Sequence, residues 1–357
     1  MRIRCVFGPP NGISLEERYT IVQQWQIPAF GIDNLALIEQ DSVEPRLGHV
    51  LVRVHAISLN YRDLMVVQGR YNPKMKLPRV PCSDGAGEVV AVGPGVTEWK
   101  PGDRVAGIFF PHWREGSPTA AKTKSALGGD IDGMLATEVL SVASHLVSIP
   151  EHLTYAEAAT LPCAAVTAWN ALFNVAKTQP GDTVLIQGTG GVSIFALQFA
   201  KMAGARVIGI SSSDEKLERA RTLGLDAGLN YRENPDWEKW VYEQTGGEGV
   251  DLTVEVGGAG TLARAIRATR VGGTIAQIGV LSGQNDGVDI RPVLSKQIKV
   301  HGVYVGSRAD FVGMNKAITQ ATLKPVIDSL FPFSAAPAAL RHMESAAHFG
   351  KIVISAE

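Results

Sequence analysis

The residues with the clearest chemical meaning are Gly188-Thr189-Gly190-Gly191-Val192-Ser193, a glycine-rich turn between an apolar run, TVLIQG at 183–188, and an apolar helix-length segment at 191–203. A glycine pattern alone says little, and its last position here is Ser193. Its placement between strand and helix gives it content. Gly188 permits a tight turn, Gly190 and Gly191 let backbone approach a pyrophosphate, and the helix beginning near Val192 offers unpaired N–H groups and the positive end of its dipole. The chemistry indicated is dinucleotide binding. A site preferring NAD places Asp or Glu about 20 residues on, at the end of the second strand, against the ribose hydroxyls. This chain carries Ser211-Ser212-Ser213 there, with Lys216 one turn later and Tyr231 beyond. Without a carboxylate the repulsion of a 2′-phosphate disappears, and serines, an ammonium and a phenol can donate to it, so NADPH is expected over NADH. The competing reading gives Ser213 to a helix cap and Lys216 to solvent.

Positioning that turn requires a sheet. Strands at 183–188, 205–210, 250–256 and 273–280 alternate with helix-length segments at 191–203, 214–223 and 261–269, which predicts a parallel sheet of right-handed βαβ units. The chain has another style before residue 150. Runs at 50–58, 87–93 and 104–110 are separated by Gly93-Pro94-Gly95 and Pro101-Gly102-Asp103, which predicts a mostly antiparallel, barrel-like β domain. A last strand, Lys351 to Ile354, is expected to fold back onto that domain. The polar, Gly-rich stretch 111–133 either covers a cleft or projects as a surface loop.

Composition narrows the function classes. The 357 residues hold 45% hydrophobic and 19% charged side chains, so two folded domains are expected rather than a disordered chain or a rod. Lys plus Arg number 34 against 35 Asp plus Glu, which gives no electrostatic footprint for nucleic acid. Cys5, Cys82 and Cys163 are too few and too scattered for a disulfide framework or a four-cysteine zinc site, and a reducing cytoplasm fits them. No apolar run reaches the ~18 residues of a membrane helix, and 156–176 is interrupted by Glu157, Pro162, Asn170 and Asn174. Residues 1–21 show no secretory core and read as an extension.

Further motifs follow in order: Asn60-Tyr61-Arg62-Asp63, Gln68-Gly69-Arg70-Tyr71, Asp84-Gly85-Ala86-Gly87-Glu88-Val89, Gly102-Asp103-Arg104-Val105, Leu161-Pro162-Cys163 and Asn230-Tyr231-Arg232. Together with the glycine turn they make the chain resemble, from about Ile27 to Ile354, the medium-chain dehydrogenase/reductases, in particular their zinc-independent quinone oxidoreductase-like branch. The resemblance implies an α/β fold: a discontinuous GroES-like catalytic domain (22–155 and 310–357), a Rossmann domain with a doubly wound parallel sheet (156–309), and an active site in the cleft between them. A homodimer acting on a small-molecule substrate is implied, with no nucleic acid or membrane partner.

In the zinc alcohol dehydrogenases of this superfamily the catalytic ligands come from positions matching Asn60, Ser83 and Cys163, of which only Cys163 is a strong ligand. A substitute set of Cys82, Asp84 and Cys163, with His112 nearby, is the alternative. Without zinc, delivery of hydride to a simple ketone lacks a partner for the forming alkoxide, whereas an enone or quinone spreads the charge so that hydrogen-bond donors suffice. The candidate donors are Asn60, Tyr61 and Tyr71. Tyr71 matches the proton-donor position of similar enoyl thioester reductases, Thr167 a position beside the nicotinamide, and Asn60 and Asp63 also read as organisers of a turn. Packing is the competing role for Tyr71. His55, His145 and His342 have no partner legible in the sequence. The resulting expectation is an NADPH-dependent reductase of quinones or activated C=C bonds. An alcohol dehydrogenase acting on carbonyls and a cofactor-binding protein with little turnover are the alternatives.

Overall fold

The computed structural model describes residues 21–281 and 287–356. Apart from Ile21, the extension expected at 1–21 lies outside the described residues, as does Cys5.

A six-stranded, all-parallel sheet runs in the spatial order Ala227–Asn230, Arg206–Ser211, Thr183–Gln187, Val250–Glu255, Thr269–Gln277, Lys299–Gly302. The order reverses between Thr183–Gln187 and Val250–Glu255, and the crevice beyond the carboxyl ends of strands at such a switch point is where ligands bind in this architecture. Because helices cover both faces, the central strands read as apolar runs: Val184, Leu185 and Ile186 are all buried. The helix Gly191–Met202 follows the first strand and buries Ile194, Phe195, Leu197 and Phe199 against it.

The second sheet is mostly antiparallel. Its main path runs Ile327–Pro332, Lys351–Ser355, His49–Ser58, Asp84–Val92, Arg104–Gly107, Leu146–Ser148, and Glu138–Val142 also pairs with His49–Ser58. The returning strand is therefore where the sequence places it: Val353 lies opposite Ser58, and Ser355 opposite Ala56. The domain is thus completed by residues from both ends of the chain.

The strand expected to run to residue 110 ends at Gly107. Beyond it, Ile108 N–H bonds the carbonyl of His145, and Phe109 and Phe110 turn into the core rather than extend the ladder. Residues 155–176, which show no clean periodicity, form the helix Tyr155–Ala159, π-helical turns at Leu161–Ala165 and Asn170–Ala176, and a short α-helical turn, Val166–Trp169, between them. Pro162 near the start of the first π turn cannot donate to an α-helical ladder. The stretch 111–133 is docked rather than projecting: Trp113 is buried, its carbonyl accepts from Arg308 N–H, and Leu127 N–H bonds the carbonyl of Phe109. His342 bonds Asp328 at 3.1 Å, and His55 stacks on Tyr155 at 4.4 Å between ring centres. Among the described residues no helix is long and apolar enough to cross a membrane.

Candidate active site

The glycine turn follows the strand Thr183–Gln187. Gly188 has φ +69°, the left-handed conformation in which a side chain is strained, and a Cβ there or at Gly190 would meet nothing within 4 Å. The outer face of the turn is therefore open to a ligand. Gly190 supplies no side-chain cap to the helix Gly191–Met202, so the helix presents its first N–H groups to that opening. Ser193 explains the departure from glycine at the last motif position, since its hydroxyl donates to the carbonyl of Gln187 at 2.7 Å and closes the turn internally. On the inner side the fit is tight. A Cβ on Gly191 would lie 2.6 Å from Lys351 Cδ and 3.3 Å from Ala164 Cβ. Gly191→Ala should therefore lower stability by about 1–3 kcal/mol through overpacking, measured by denaturant unfolding; an unchanged midpoint would show that Lys351 moves aside freely.

The residues expected around a 2′-phosphate are close together. Ser211 ends the strand Arg206–Ser211 and is buried, and its carbonyl accepts from Tyr231 N–H at 2.9 Å. Ser212 is half-buried and Tyr231 exposed. Ser213 caps the next helix by accepting from Lys216 N–H at 3.3 Å, so the capping role holds alongside any contact to phosphate. Lys216 is not merely solvated. Its Nζ donates to the carbonyl of Ala346 at 2.9 Å, and burial lowers its pKa. His348, which sequence reasoning missed, stands in the same neighbourhood; burial, and then the Lys216 charge, bring it down to about 4.

A second constellation lies where the C-terminal strand passes the turn. Gly350 N–H donates to the carbonyl of Thr189 at 2.9 Å, and the next residue, Lys351, sends its side chain inward. Lys351 is 3% exposed, and its Nζ donates to the carbonyl of Leu59 and to Asn60 Oδ1, both at 2.6 Å. Asp84, fully buried, accepts from Ser83 Oγ at 2.7 Å and from Cys163 N–H at 3.0 Å. Burial raises the Asp84 carboxyl pKa, and the charge of Lys351 is the strongest influence in the other direction. Asp63 accepts from Asn60 N–H at 2.8 Å, as expected of a turn organiser, and burial pushes its pKa up to about 6 against the pull of Arg62. Positions 60, 83 and 163 thus come together around Asp84 and Lys351.

They do not make a metal site. Asn60 Oδ1 is committed to Lys351, Ser83 donates its hydroxyl proton to Asp84, and burial foremost holds the Cys163 thiol well above its ordinary pKa, disfavouring the thiolate that zinc requires. Among the described residues no three His, Cys, Asp or Glu side chains gather as a metal-binding group, so the substitute set of Cys82, Asp84, Cys163 and His112 is not assembled. His112 instead faces His145, with ring centres 5.9 Å apart.

Tyr71 sits at the mouth of this region. Its hydroxyl meets that of Tyr304, a residue of the cofactor-domain side of the chain that the sequence does not single out. Arg62 lies over the Tyr71 ring at 4.9 Å and over Phe109 at 4.8 Å, and donates to the carbonyl of Leu127 at 2.8 Å. Burial raises the Tyr71 pKa and Arg62 opposes it, so the phenol remains a proton donor at neutral pH. Tyr61 is placed differently, packing against the apolar cluster of Ile57, Leu59 and Leu64. Thr167 is buried on the short helical turn Val166–Trp169, and Val192 packs on the same core.

Two family models match the chain: Alcohol dehydrogenase GroES-like domain over residues 46–151, and Zinc-binding dehydrogenase over residues 191–320. A zinc-type alcohol dehydrogenase-like protein of Schizosaccharomyces pombe is 43% identical over 86% of this chain and 90% of its own length. A solved NAD-dependent alcohol dehydrogenase superposes with a TM-score of 0.86 at 34% identity, covering 94% of this chain and all of that one (100%). The 2-octenoyl-CoA carboxylase reductase CinF, solved with NADP and 2-octenoyl-CoA, superposes with a TM-score of 0.82 at 27% identity, covering 94% of this chain and 87% of that one.

Proposed function

Because the chain belongs to the medium-chain dehydrogenase/reductase superfamily and is an NAD(P)H-dependent oxidoreductase, we propose that it is an NADPH-dependent reductase of quinones or activated C=C bonds that works without zinc. The observation that carries this reading is the polar cluster in which Asn60, Ser83 and Cys163 surround an Asp84–Lys351 pair instead of a metal. The name of the Zinc-binding dehydrogenase family model does not alter that donor set.

The turn Gly188, Thr189, Gly190, Gly191 and Val192 holds the pyrophosphate, Thr167 flanks the nicotinamide end, and Ser211, Ser212, Lys216 and Tyr231 hold the 2′-phosphate. When bound, the reduced nicotinamide supplies hydride. What the protein adds is a place for the charge that develops on the substrate. Hydride arriving at the β-carbon of an enone moves negative charge onto the carbonyl oxygen as an enolate, which hydrogen-bond donors can stabilise without a Lewis acid. Tyr71 serves as that donor and passes its proton on. Asn60 has its Oδ1 taken by Lys351, which leaves its amide N–H₂ as the half able to donate to a substrate oxygen.

Carbonyl reduction is the second reading, favoured by the alcohol dehydrogenase names of the S. pombe relative and the NAD-dependent structure. Oxidation of NADPH against a panel of quinones, enones and aldehydes separates the two. Turnover of quinones or enones that survives treatment with a chelator, in protein without stoichiometric zinc by elemental analysis, is the expected result. Aldehyde reduction alone, abolished by the chelator, would replace this reading with the second.

A further inference from the structure

The Lys351 side chain performs no step in the proposed reaction, yet it is a buried cation at the centre of the cluster. Its 3% exposure means that its charge is removed from water, a cost accepted in folded proteins only where a counter-charge and hydrogen bonds compensate. Both kinds of compensation are present. The Leu59 carbonyl and Asn60 Oδ1 accept two of its three protons at 2.6 Å each, and fully buried Asp84 supplies the opposite charge. Asp84 in turn binds Ser83 and the backbone of Cys163. The ammonium is therefore the centre to which Asn60 attaches directly and Ser83 and Cys163 through one carboxylate. The route of its stem is equally constrained, since it runs against Gly191, where no side chain fits.

We propose that the Lys351 ammonium is the resident cation of this site: it neutralises Asp84, fixes the Asn60 amide with its oxygen inward, and occupies by charge the place that a divalent ion would otherwise fill. The inference rests on the zinc-free reading above and adds a specific residue to it. It differs from a packing role for the long lysine stem because it depends on the charge, not on the volume. It also binds the two halves of the site together, because the residue before Lys351 is hydrogen-bonded to the dinucleotide turn through Thr189.

The test compares wild type, Lys351→Met, Asp84→Asn and the double variant by thermal unfolding, with zinc content measured after incubation in zinc chloride and desalting. Met keeps the stem and removes the charge, leaving Asp84 buried and uncompensated. Lys351→Met should lower the unfolding temperature by roughly 5 °C or more, and adding Asp84→Asn should recover most of the loss, since the pair is then absent together. Wild type should retain no stoichiometric zinc, while Lys351→Met should gain zinc-dependent stabilisation through the uncovered Asp84 carboxylate, a response that loss of packing would not produce. If Lys351→Met is insoluble and the double variant folds, the charge role is supported. If the double variant also fails to fold, or if Lys351→Met unfolds like wild type, the inference is overturned, and zinc-free wild type would leave the metal-independent reading standing. Stoichiometric zinc in wild type, with activity lost on its removal, would instead overturn that reading and this inference with it.

Discussion

Tyr71→Phe is expected to reduce kcat for an enone by about 10²–10⁴-fold, the range for loss of a positioned general acid, with little change in NADPH affinity. The substitution removes the donor and keeps the ring, so the contact with Arg62 at 4.9 Å and the packing around Phe109 survive. Quinones should lose less, because their reduced product is stabilised by aromaticity and takes its proton from solvent. That contrast distinguishes chemistry from packing, since a disturbed loop would depress both substrate classes together. Tyr304 provides the control from the other side of the cleft. It meets the Tyr71 hydroxyl without being the donor, so Tyr304→Phe should cost less than Tyr71→Phe on the same enone. Full enone turnover by Tyr71→Phe, where chemistry limits the rate, would make Tyr71 structural. Tyr61 would not inherit the role easily, being packed on Ile57, Leu59 and Leu64.

The parts of this site legible in the sequence are those made by neighbours along the chain. The glycine turn, the strand before it and the helix after it fall within a dozen or so residues, and local periodicity with punctuation suffices to place them. The Asn60–Asp63 turn was legible for the same reason. What the sequence did not reveal are the contacts made across long separations. Lys351 meets Asn60 across 291 positions, and Tyr304 meets Tyr71 across 233. Within its own segment, Lys351 is simply the first residue of an apolar strand, and Tyr304 one aromatic among many. Nothing in local spacing says that a lysine will be 3% exposed, because its burial depends on an aspartate brought from another strand. The segment 155–176 was illegible for a different reason. Its π turns break the 3.6-residue period, so an almost continuous helical stretch carrying both Cys163 and Thr167 leaves only an irregular apolar run in the sequence. Phe109 and Phe110 look like strand residues by type, and only the departure of the chain at Gly107 shows that they serve the core.

Lys216 carries the second large effect, on cofactor choice. A hydrogen bond to a charged group contributes roughly 1.5–3 kcal/mol, so Lys216→Met should weaken NADPH binding by about ten- to a hundredfold and leave NADH nearly unchanged. Met retains the stem, which matters because the Lys216 Nζ bonds the Ala346 carbonyl at 2.9 Å and so touches the segment leading to Gly350 and the glycine turn. If that bond were its whole purpose, its loss would loosen the turn for both cofactors alike. Burial and the nearby Arg219 charge disfavour the Lys216 ammonium, although Asp328 offsets part of this, so a phosphate dianion would relieve a strain already present in the folded chain. NADH has no such group and gains nothing from the residue. Binding constants for both cofactors, measured by fluorescence titration on wild type and variant, decide the matter. An equal loss for the two cofactors assigns Lys216 to holding the Ala346 segment, and a wild-type preference for NADH removes the 2′-phosphate site altogether, whatever the serines at 211–213 suggest.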